Sequence, residues 1–363
     1  MDIKKIALAF GIKCDNLSYN ECTTGHINST YFIKNVCCGG TAEYVFQKVN
    51  TSIFKKPDEL MSNVFRVTEH IESKLKAEHD VASKTLAFLK TTDGSYGYID
   101  ENNGYWRAYR YVPHTHSLNG ADSPELLERS GYAFGNFQRL LSDFDASSLY
   151  ETIPNFHNTV SRLNDFKEAV NNDLASRKAS VAGDIAFVLD REDKCSYITG
   201  GIKEGKFPLR VTHNDTKLNN LLWDDTTEKC VCVIDLDTVM PGSVLYDFGD
   251  AIRFGASSAA EDETDLTKVF VCLDKFEAYV KGFIEGTDGA LTNEELLAFP
   301  MGAYVITLET GIRFLTDYLN GDTYFRIHYP SHNLDRARNQ FKLVKSLEEQ
   351  MHKLNEIMKK YVK

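Results

Sequence analysis

Residues 210–223 read RVTHNDTKLNNLLW and are followed by VCVIDLDTVMPG at 231–242 and YDFGDAIRFG at 246–255, so acidic and amide side chains are concentrated in one short segment. The first piece sets His213, Asp215 and Asn220 in the spacing H-x-D-x-x-x-x-N. A loop rich in Asp and Asn is usually a solvated turn. Of the ten histidines, however, only His213 is followed by an aspartate two residues later. The full pattern therefore favours a chemically active loop over a solvated one.

The apolar run that follows this loop ends on an acid. Val231, Val233 and Ile234 predict a short strand with Asp235 at its carboxyl end. Transfer of a phosphoryl group needs a carboxylate that orients the attacking hydroxyl, and oxygen ligands from two chain segments that hold magnesium against the phosphates. The segment supplies both in order, which predicts an ATP-dependent kinase.

Length and composition are those of a two-lobed globular enzyme. The chain has 363 residues, more than one hydrophobic core usually serves, and is 42% apolar, 26% charged and 12% aromatic. Its net charge of −11 disfavours nucleic acid and anionic membrane surfaces as partners. A bound ATP would then need local cations, which magnesium and one or two lysines can provide.

The cysteines and the N-terminal segment both indicate a cytoplasmic protein. The eight cysteines form no C-x-x-C pair and lie in apolar segments, as expected of reduced thiols. The apolar run in MDIKKIALAFG is too short for a secretion signal. No segment approaches the roughly 20 apolar residues that span a bilayer.

Apolar periodicity divides the chain into two parts. In residues 1–112, the expected nucleotide-binding lobe, it predicts a sheet with one helix, and in 113–363, the expected catalytic and substrate-binding lobe, mainly helices. Ser123 before Pro124 is a helix start, and the last helix is expected to pack on the large lobe rather than form a coiled coil. The predicted class is α+β, a two-lobed, protein-kinase-like fold. The predicted strands are 30–36, 42–49, 96–99 and 106–112, and the predicted helices lie within 57–90, 123–141, 158–178, 264–285, 293–320 and 333–363.

The motifs of the first two paragraphs resemble a known group of enzymes. HNDTKLNN, VIDLDTVMPG and YDFGDAIRFG are similar to the motifs of the aminoglycoside phosphotransferase-like small-molecule kinases. The longer phrases GHINSTY at 25–31, FQKVNTSIFKKPDELM at 46–61 and ETGIRFLTDYLNGDTYF at 309–325 resemble the bacterial N-acetylhexosamine 1-kinases. This resemblance implies ATP-dependent phosphorylation of the anomeric hydroxyl of N-acetylglucosamine or N-acetylgalactosamine.

The resemblance also implies roles for the residues of the loop and the strand end. Asp215 would be the catalytic base that orients the sugar hydroxyl. Asn220 and Asp235 would bind Mg²⁺ through oxygen, the donor that this hard cation prefers. His213 would hold the loop by hydrogen bonds rather than take part in the chemistry.

In the small lobe, the resemblance implies that Lys48 pairs with the phosphates of ATP. Glu69 or Glu72 on the following helix would orient it, and the sequence does not choose between them. The segment 23–28 would replace the glycine-rich phosphate loop of protein kinases with a single glycine. The hinge that contacts adenine through main-chain groups would be formed by Arg110, Tyr111 and Val112.

The resemblance suggests a sugar site in which acids and basic donors bind hydroxyls and the acetamido oxygen, while aromatic rings cover the apolar sugar face. Besides Asp215, its members would be His26, Asp250, Phe254, Arg313, Tyr324 and Phe325.

Two other functions stay open from sequence. A kinase of an aminoglycoside, choline or homoserine would have the same catalytic residues, and the acidic run EDETD at 261–265 could serve a cationic substrate. A nucleotide-binding pseudokinase would lack the base or a metal ligand, yet Asp215, Asn220 and Asp235 are all present. The sequence leaves the oligomeric state open.

Overall fold

The computed structural model describes residues 2–13, 16–22, 27–37, 40–79, 84–120 and 123–362. The helices are α1 (Ile3–Ala9), α2 (Pro57–Ala77), α3 (Pro124–Leu140), α4 (Thr159–Asn172), α5 (Ala182–Leu189), α6 (Tyr197–Lys203), α7 (Val244–Gly255), α8 (Leu273–Thr287), α9 (Asn293–Leu319) and α10 (His332–Lys359). The strands are β1 (Asn16–Cys22), β2 (Ser29–Cys37), β3 (Gly40–Val49), β4 (Phe88–Leu89), β5 (Tyr98–Ile99), β6 (Tyr105–Arg110), β7 (Thr115–His116), β8 (Arg210–Thr212), β9 (Leu221–Asp224), β10 (Cys230–Val233) and β11 (Met240–Gly242).

The chain forms two compact units. The smaller unit contains residues 1–117, 148–154 and 222–240, and the larger unit contains 118–147, 155–221 and 241–363. The first is built on a sheet and the second is mainly helical, so the predicted α+β fold class is confirmed. The division after residue 112 stays a prediction. None of the described helices is long and apolar enough to cross a membrane.

The main sheet of the smaller unit has the strand order β1-β2-β3-β6-β4, and β5 also pairs with β6. In the antiparallel pair of β3 and β6, Gln47 lies opposite Arg107 and Lys48 lies opposite Trp106. Because successive side chains of a strand point to opposite faces, the first pair and the second pair occupy different faces of the sheet.

One face of this sheet is covered by α1. Asp2 caps the helix by accepting a hydrogen bond from the Lys5 backbone N–H. Ile3 and Ile6 are buried in a cluster with Phe46 of β3 and with Trp106 and Ala108 of β6. The apolar N-terminal segment is therefore part of the core of the smaller unit, a role that the sequence did not predict.

Several predicted boundaries were wrong, and two helices end earlier than apolar spacing suggests because a residue with a left-handed backbone follows. The helix predicted within 57–90 ends at Ala77, two residues before His79 with φ 56°. The helix predicted at 158–178 ends at Asn172, where Asp173 has φ 42°. The helix predicted at 264–285 begins only at Leu273. The helices α5 and α6 and the strand β1 were not predicted.

In the larger unit, α3 and α8 meet along glycines. Gly131 and Gly135 of α3 face Gly282 and Gly286 of α8, and a Cβ at any of the four would overlap main-chain atoms of the other helix. Only glycine permits so close an approach of two backbones. The pair forms a tightly packed wall of the unit.

The helices α7 and α9 are also packed closely against each other. A Cβ on Gly249 of α7 would lie 2.6 Å from the carbonyl oxygen of Gly302 on α9. The start of α9 is fixed by a capping box in which Thr292 and Glu295 bind each other's backbone N–H. These contacts fix the two helices that carry most of the polar side chains described next.

Candidate active site

The loop that follows β8 is held by the buried carboxylate of Asp247. Its Oδ2 accepts hydrogen bonds from the backbone N–H of His213 at 2.9 Å and from Gln138 Nε2 at 2.8 Å, and its Oδ1 accepts one from the backbone N–H of Asn214 at 2.7 Å. Asn214 has φ 65°, a left-handed conformation that costs free energy and is often found in functional loops. The loop is therefore fixed in one strained shape.

A second acid on α7, Asp250, holds the same loop one turn further along. Its Oδ2 accepts a hydrogen bond from the backbone N–H of Thr216 at 3.0 Å, and its Oδ1 lies 2.8 Å from Arg253 Nη2. Burial alone would raise the pKa of Asp250, but the charges of Arg253 and Lys217 lower it. Asp250 is thus an ionised anchor of the loop, and its predicted contact with a sugar stays a prediction.

The loop brings three polar side chains together. Asn220 Nδ2 donates to the backbone oxygen of Asp215 at 2.8 Å and to its Oδ2 at 3.1 Å, while Lys217 Nζ lies 2.9 Å from Asp215 Oδ1. Because the amide nitrogen of Asn220 makes both bonds, its amide oxygen points away from Asp215 and can bind a cation. The carboxylate of Asp215 is oriented by one amide and one ammonium group.

Lys217 is a candidate site residue that the sequence analysis missed. The charge of Asp215 raises the pKa of Lys217 despite its burial, so it stays a cation. Its side chain is 34% exposed and can therefore reach a ligand as well as Asp215. The signal was present in the motif HNDTKLNN, but a lysine in a polar loop is ordinarily solvated.

His157, also missed, links the catalytic loop to α9. Its Nε2 lies 3.2 Å from the backbone oxygen of Asn214, and its Nδ1 lies 2.8 Å from Glu309 Oε1. The other oxygen of Glu309 accepts a hydrogen bond from Thr159 at 2.6 Å. Burial would raise the pKa of Glu309, but His157, Arg313 and the Thr159 hydroxyl together lower it.

Three predicted sugar residues come together on and after α9. The guanidinium of Arg313 lies 5.6 Å from the ring centre of Phe325 and 5.5 Å from that of Phe156. The ring of Tyr324, 66% exposed, meets the Phe325 ring edge-on at 4.7 Å. Because Arg313 lies one turn from Glu309 on α9, this aromatic and basic cluster is next to the residues that hold the catalytic loop.

One further predicted sugar residue, Phe254, lies outside this cluster. Phe254 lines a separate cavity of about 340 Å³, together with Arg253 and Glu261. His26 lies outside the described residues. Their contacts with a sugar stay predictions.

In the smaller unit, Asp235 follows β10 and has a left-handed backbone, with φ 59°. Two residues later the buried Asp237 forms an ion pair with Arg107 and accepts a hydrogen bond from Asn28 Nδ2 at 2.6 Å. Arg107 Nε also donates to Gln47 Oε1 at 2.9 Å. The sequence analysis did not identify this network, although the repeated acid in DLD was a signal for it.

These motifs agree with a comparison against known families. A family model described as a phosphotransferase enzyme family (APH) matches residues 18–270. The chain belongs to this family. Its resemblance to the aminoglycoside phosphotransferase-like superfamily is therefore confirmed, whereas the acceptor of this phosphotransferase is a separate question.

Solved structures show the same fold. A choline kinase from Cryptosporidium parvum Iowa II is 11% identical, with a TM-score of 0.60 over 99% of both chains. A microcompartment-associated aminopropanol kinase is 15% identical, with a TM-score of 0.59 over 97% of this chain and 98% of its own. An aminoglycoside phosphotransferase from Alicyclobacillus acidocaldarius subsp. acidocaldarius DSM 446 is 13% identical, with a TM-score of 0.56 over 94% and 92%.

Lys48 of this phosphotransferase lies on the sheet face that α1 covers. Lys48 is opposite Trp106, whose Nε1 donates to Asp100 Oδ2 at 2.7 Å. That hydrogen bond and the charge of Lys48 both lower the pKa of Asp100. Arg107 and Gln47 lie on the other face. The structure therefore does not bring Lys48 to the face that carries the Arg107–Asp237 pair, and its role at the phosphates stays a prediction.

The two glutamates proposed to orient Lys48 have other partners. Glu69 lies 3.5 Å from Lys90 and Glu72 lies 2.7 Å from Lys76, and both acids are exposed. Neither glutamate pairs with Lys48 in the structure.

The predicted hinge is partly occupied by its own hydrogen bonds. The backbone N–H of Arg110 donates to Ala87 and that of Tyr111 donates to Glu43, at 3.0 and 3.1 Å. With Val112 they line a cavity of about 620 Å³ against α2 and residues 84–90. Their contact with adenine stays a prediction.

Proposed function

We propose that this phosphotransferase is an ATP-dependent kinase that phosphorylates the anomeric hydroxyl of an N-acetylhexosamine, either N-acetylglucosamine or N-acetylgalactosamine. The products would be the sugar 1-phosphate and ADP. The observation that carries the proposal is the preorganised loop with Asp215, Lys217 and Asn220, in the same unit as the cluster of Arg313, Tyr324 and Phe325.

In the proposed reaction, the carboxylate of Asp215 accepts the proton of the anomeric hydroxyl as its oxygen attacks the γ-phosphorus of ATP. The bond between that phosphorus and the oxygen of ADP breaks, and ADP leaves. Lys217 would neutralise negative charge on the transferred group, since fixed cations stabilise this transition state. No phosphorylated enzyme is formed.

Magnesium would lower the charge repulsion among the phosphates when it is bound. Asn220 and Asp235 offer the oxygen donors that suit it. The described residues contain no cluster of three or more His, Cys, Asp or Glu side chains that could hold a metal ion by themselves.

The remaining parts of the proposal rest on the resemblance. Residues 1–112 would bind ATP, with main-chain contacts to adenine from Arg110–Val112, and residues 113–363 would supply the base and the sugar site. His26, Asp250 and Phe254 would complete that site.

A kinase of a cationic alcohol is the second candidate, because choline and aminopropanol kinases share the fold. The acidic run at 261–265 does not favour it. Glu261 is paired with Arg253, and Glu263 and Asp265 both lie within ion-pair distance of Lys268. These acids already have cations, whereas the aromatic cluster carries an arginine that would repel an ammonium group.

The test is ADP release by the purified protein with ATP and magnesium, across N-acetylglucosamine, N-acetylgalactosamine, glucose, choline, homoserine and kanamycin. We expect turnover of the two acetamido sugars, lost when the anomeric hydroxyl is blocked as a methyl glycoside. Turnover of choline, homoserine or kanamycin instead would replace the proposed acceptor. ATP binding without turnover of any acceptor would favour a pseudokinase.

A further inference from the structure

A second arginine lies beside Arg313. Arg162, on the first turn of α4, donates through Nη2 to the backbone oxygen of Phe156 at 3.1 Å. Its Nε is buried and has no hydrogen-bond partner among the described residues. The guanidinium group of Arg313 lies over the ring of the same Phe156. Both guanidinium groups therefore contact one residue of the loop before α4.

Among the described residues, no carboxylate forms a close, buried ion pair with either arginine. Arg313 contacts aromatic rings but forms no hydrogen bond or ion pair within the part of the chain that the structure describes. The nearest acid to Arg162 is Asp165, 3.9 Å away and 56% exposed, where water screens the attraction. Glu309 is buried nearby, but His157 and Thr159 occupy its two oxygens.

Two guanidinium groups that repel each other are unfavourable in a partly buried place. Burial and the positive charge of Arg313 lower the pKa of Arg162, although Glu309, Tyr324 and Asp165 act in the opposite direction. An N–H donor that is buried without a partner adds the free energy of its lost hydration. Arrangements of this kind are typical of functional sites, where a ligand brings the missing acceptor oxygens.

We propose that Arg162 is a specificity-determining residue of the acceptor site, and that it binds, together with Arg313, a carbonyl or carboxylate oxygen of the substrate. This inference rests on the proposed function, in which that oxygen is the acetamido carbonyl of the N-acetylhexosamine. The guanidinium fork presents only donors, so it binds oxygen acceptors and repels a protonated amine. The rings of Phe156 and Phe325 would cover the apolar side of the same group.

The position of the pair supports this assignment. Phe156 precedes His157, which bonds the backbone of Asn214 in the catalytic loop. A substituent held by the arginines would thus be attached to a molecule that lies near Asp215. The acetamido group on C2 and the anomeric hydroxyl on C1 are on adjacent carbons of the sugar, so the arginines and Asp215 would contact neighbouring groups. Glucosamine, which carries an ammonium group on C2 instead, would be rejected.

The experiment compares Arg162→Gln and Arg313→Gln with the wild type, using N-acetylglucosamine and glucosamine at about pH 6. Arg338→Gln, which removes a partly exposed arginine paired with Asp184, is the control. We expect the KM for N-acetylglucosamine to rise about tenfold in the first two variants, the effect of losing a hydrogen bond from a charged group. The preference for the acetylated sugar over the amine should fall by a similar factor, while the KM for ATP is unchanged.

Thermal unfolding provides the second readout. Because the ion pair of Arg162 with Asp165 is long and screened by solvent, and Arg313 repels it, Arg162→Gln should leave the melting temperature unchanged or raise it. A lower melting temperature with equal losses for both sugars would show a structural role and overturn the proposal. An unchanged KM and an unchanged preference would also overturn it.

The outcome separates this inference from the proposed function. If the wild type phosphorylates acetamido sugars and Arg162→Gln behaves like it, only the role of Arg162 fails. If the wild type phosphorylates choline or kanamycin, both proposals fail, since the pair should repel these cations. If no acceptor is turned over, calorimetric binding of the two sugars to wild type and Arg162→Gln decides, because the acetylated sugar should bind more tightly only to the wild type.

Discussion

The loop after β8 and the pair of Arg162 and Arg313 lie in the same unit of the molecule. They differ in how well their buried charges are paired with opposite charges. Around the loop, Asp215 is paired with Lys217 and Asp250 with Arg253, and Asp247 accepts three hydrogen bonds. Arg162 and Arg313, by contrast, repel each other, and the ion pair of Arg162 with Asp165 is long and screened by solvent.

This difference separates two uses of a buried charge. A compensated group fixes the shape of the backbone before any ligand arrives, which is what a reacting carboxylate needs. An uncompensated group keeps its binding capacity for a ligand at some loss of stability. Burial alone therefore does not distinguish a structural arginine from one that binds a substrate, whereas the state of its partners does.

The largest expected effect is on stability, and it concerns the paired charges of Asp250 and Arg253. Arg253→Met should lower the free energy of unfolding by about 3–5 kcal/mol, because it leaves Asp250 as an unpaired buried charge. Urea unfolding measures this loss. Arg338→Gln, which breaks a more exposed pair, should lose no more than about 1 kcal/mol. Equal losses in the two variants would break the comparison.

Asp215→Asn should lower turnover by at least about a hundredfold, the contribution of a positioned base, with little change in melting temperature. The amide keeps the shape of the carboxylate but cannot accept the proton. Asp225→Asn, which changes an exposed acid outside the loop, is the control and should be near normal. Near-normal turnover of Asp215→Asn would mean that the active site lies elsewhere.

Two lysines, Lys217 in the loop after β8 and Lys48 on β3, give a smaller effect. Lys217→Gln should lower kcat roughly tenfold, as expected when one charge-assisted hydrogen bond is lost. Lys48→Gln should change kcat by less than about twofold, because Lys48 lies on the sheet face covered by α1. Steady-state kinetics with saturating ATP compares them directly. A larger loss for Lys48→Gln would restore Lys48 as the phosphate ligand that the sequence predicts.

The smallest effect concerns pH. The pKa of Glu309 is lower in the folded protein than its ordinary value of 4.5, so the folded state favours the ionised form. The stability that it contributes is present above about pH 4.5 and is lost as the pH falls through the lower folded pKa. Glu309→Gln should therefore show a weaker loss of unfolding free energy between pH 5 and pH 3 than the wild type. The exposed Glu349→Gln is the control, and equal slopes for Glu309→Gln and the wild type would contradict the prediction.

The sequence identified the loop after β8 as a candidate catalytic loop because the motif is local. The spacing of His213, Asp215 and Asn220 is contained in eight residues, and the strand before Asp235 is a short apolar run. The helices α3, α9 and α10 were also predicted, since caps and apolar periodicity mark them. Features that depend on neighbouring residues in the chain are therefore readable without a structure.

Lys48 shows where this reading stops. Alternation along β3 places Tyr44, Phe46 and Lys48 on one face, but it does not say what packs against that face. The answer depends on α1, whose apolar residues are distant in sequence and are buried against that face of the sheet. Arg162 was missed for a similar reason, because the absence of a partner for a charge is a tertiary property.

The glycine contact between α3 and α8 has a consequence for motion. Most helix interfaces can shift, since their side chains exchange rotamers and so permit alternative packings. Here main chain meets main chain at Gly131, Gly135, Gly282 and Gly286, and there are no rotamers to exchange. The two helices should therefore move as one rigid rod, and any adjustment of the larger unit to a substrate has to take place in the segments around them.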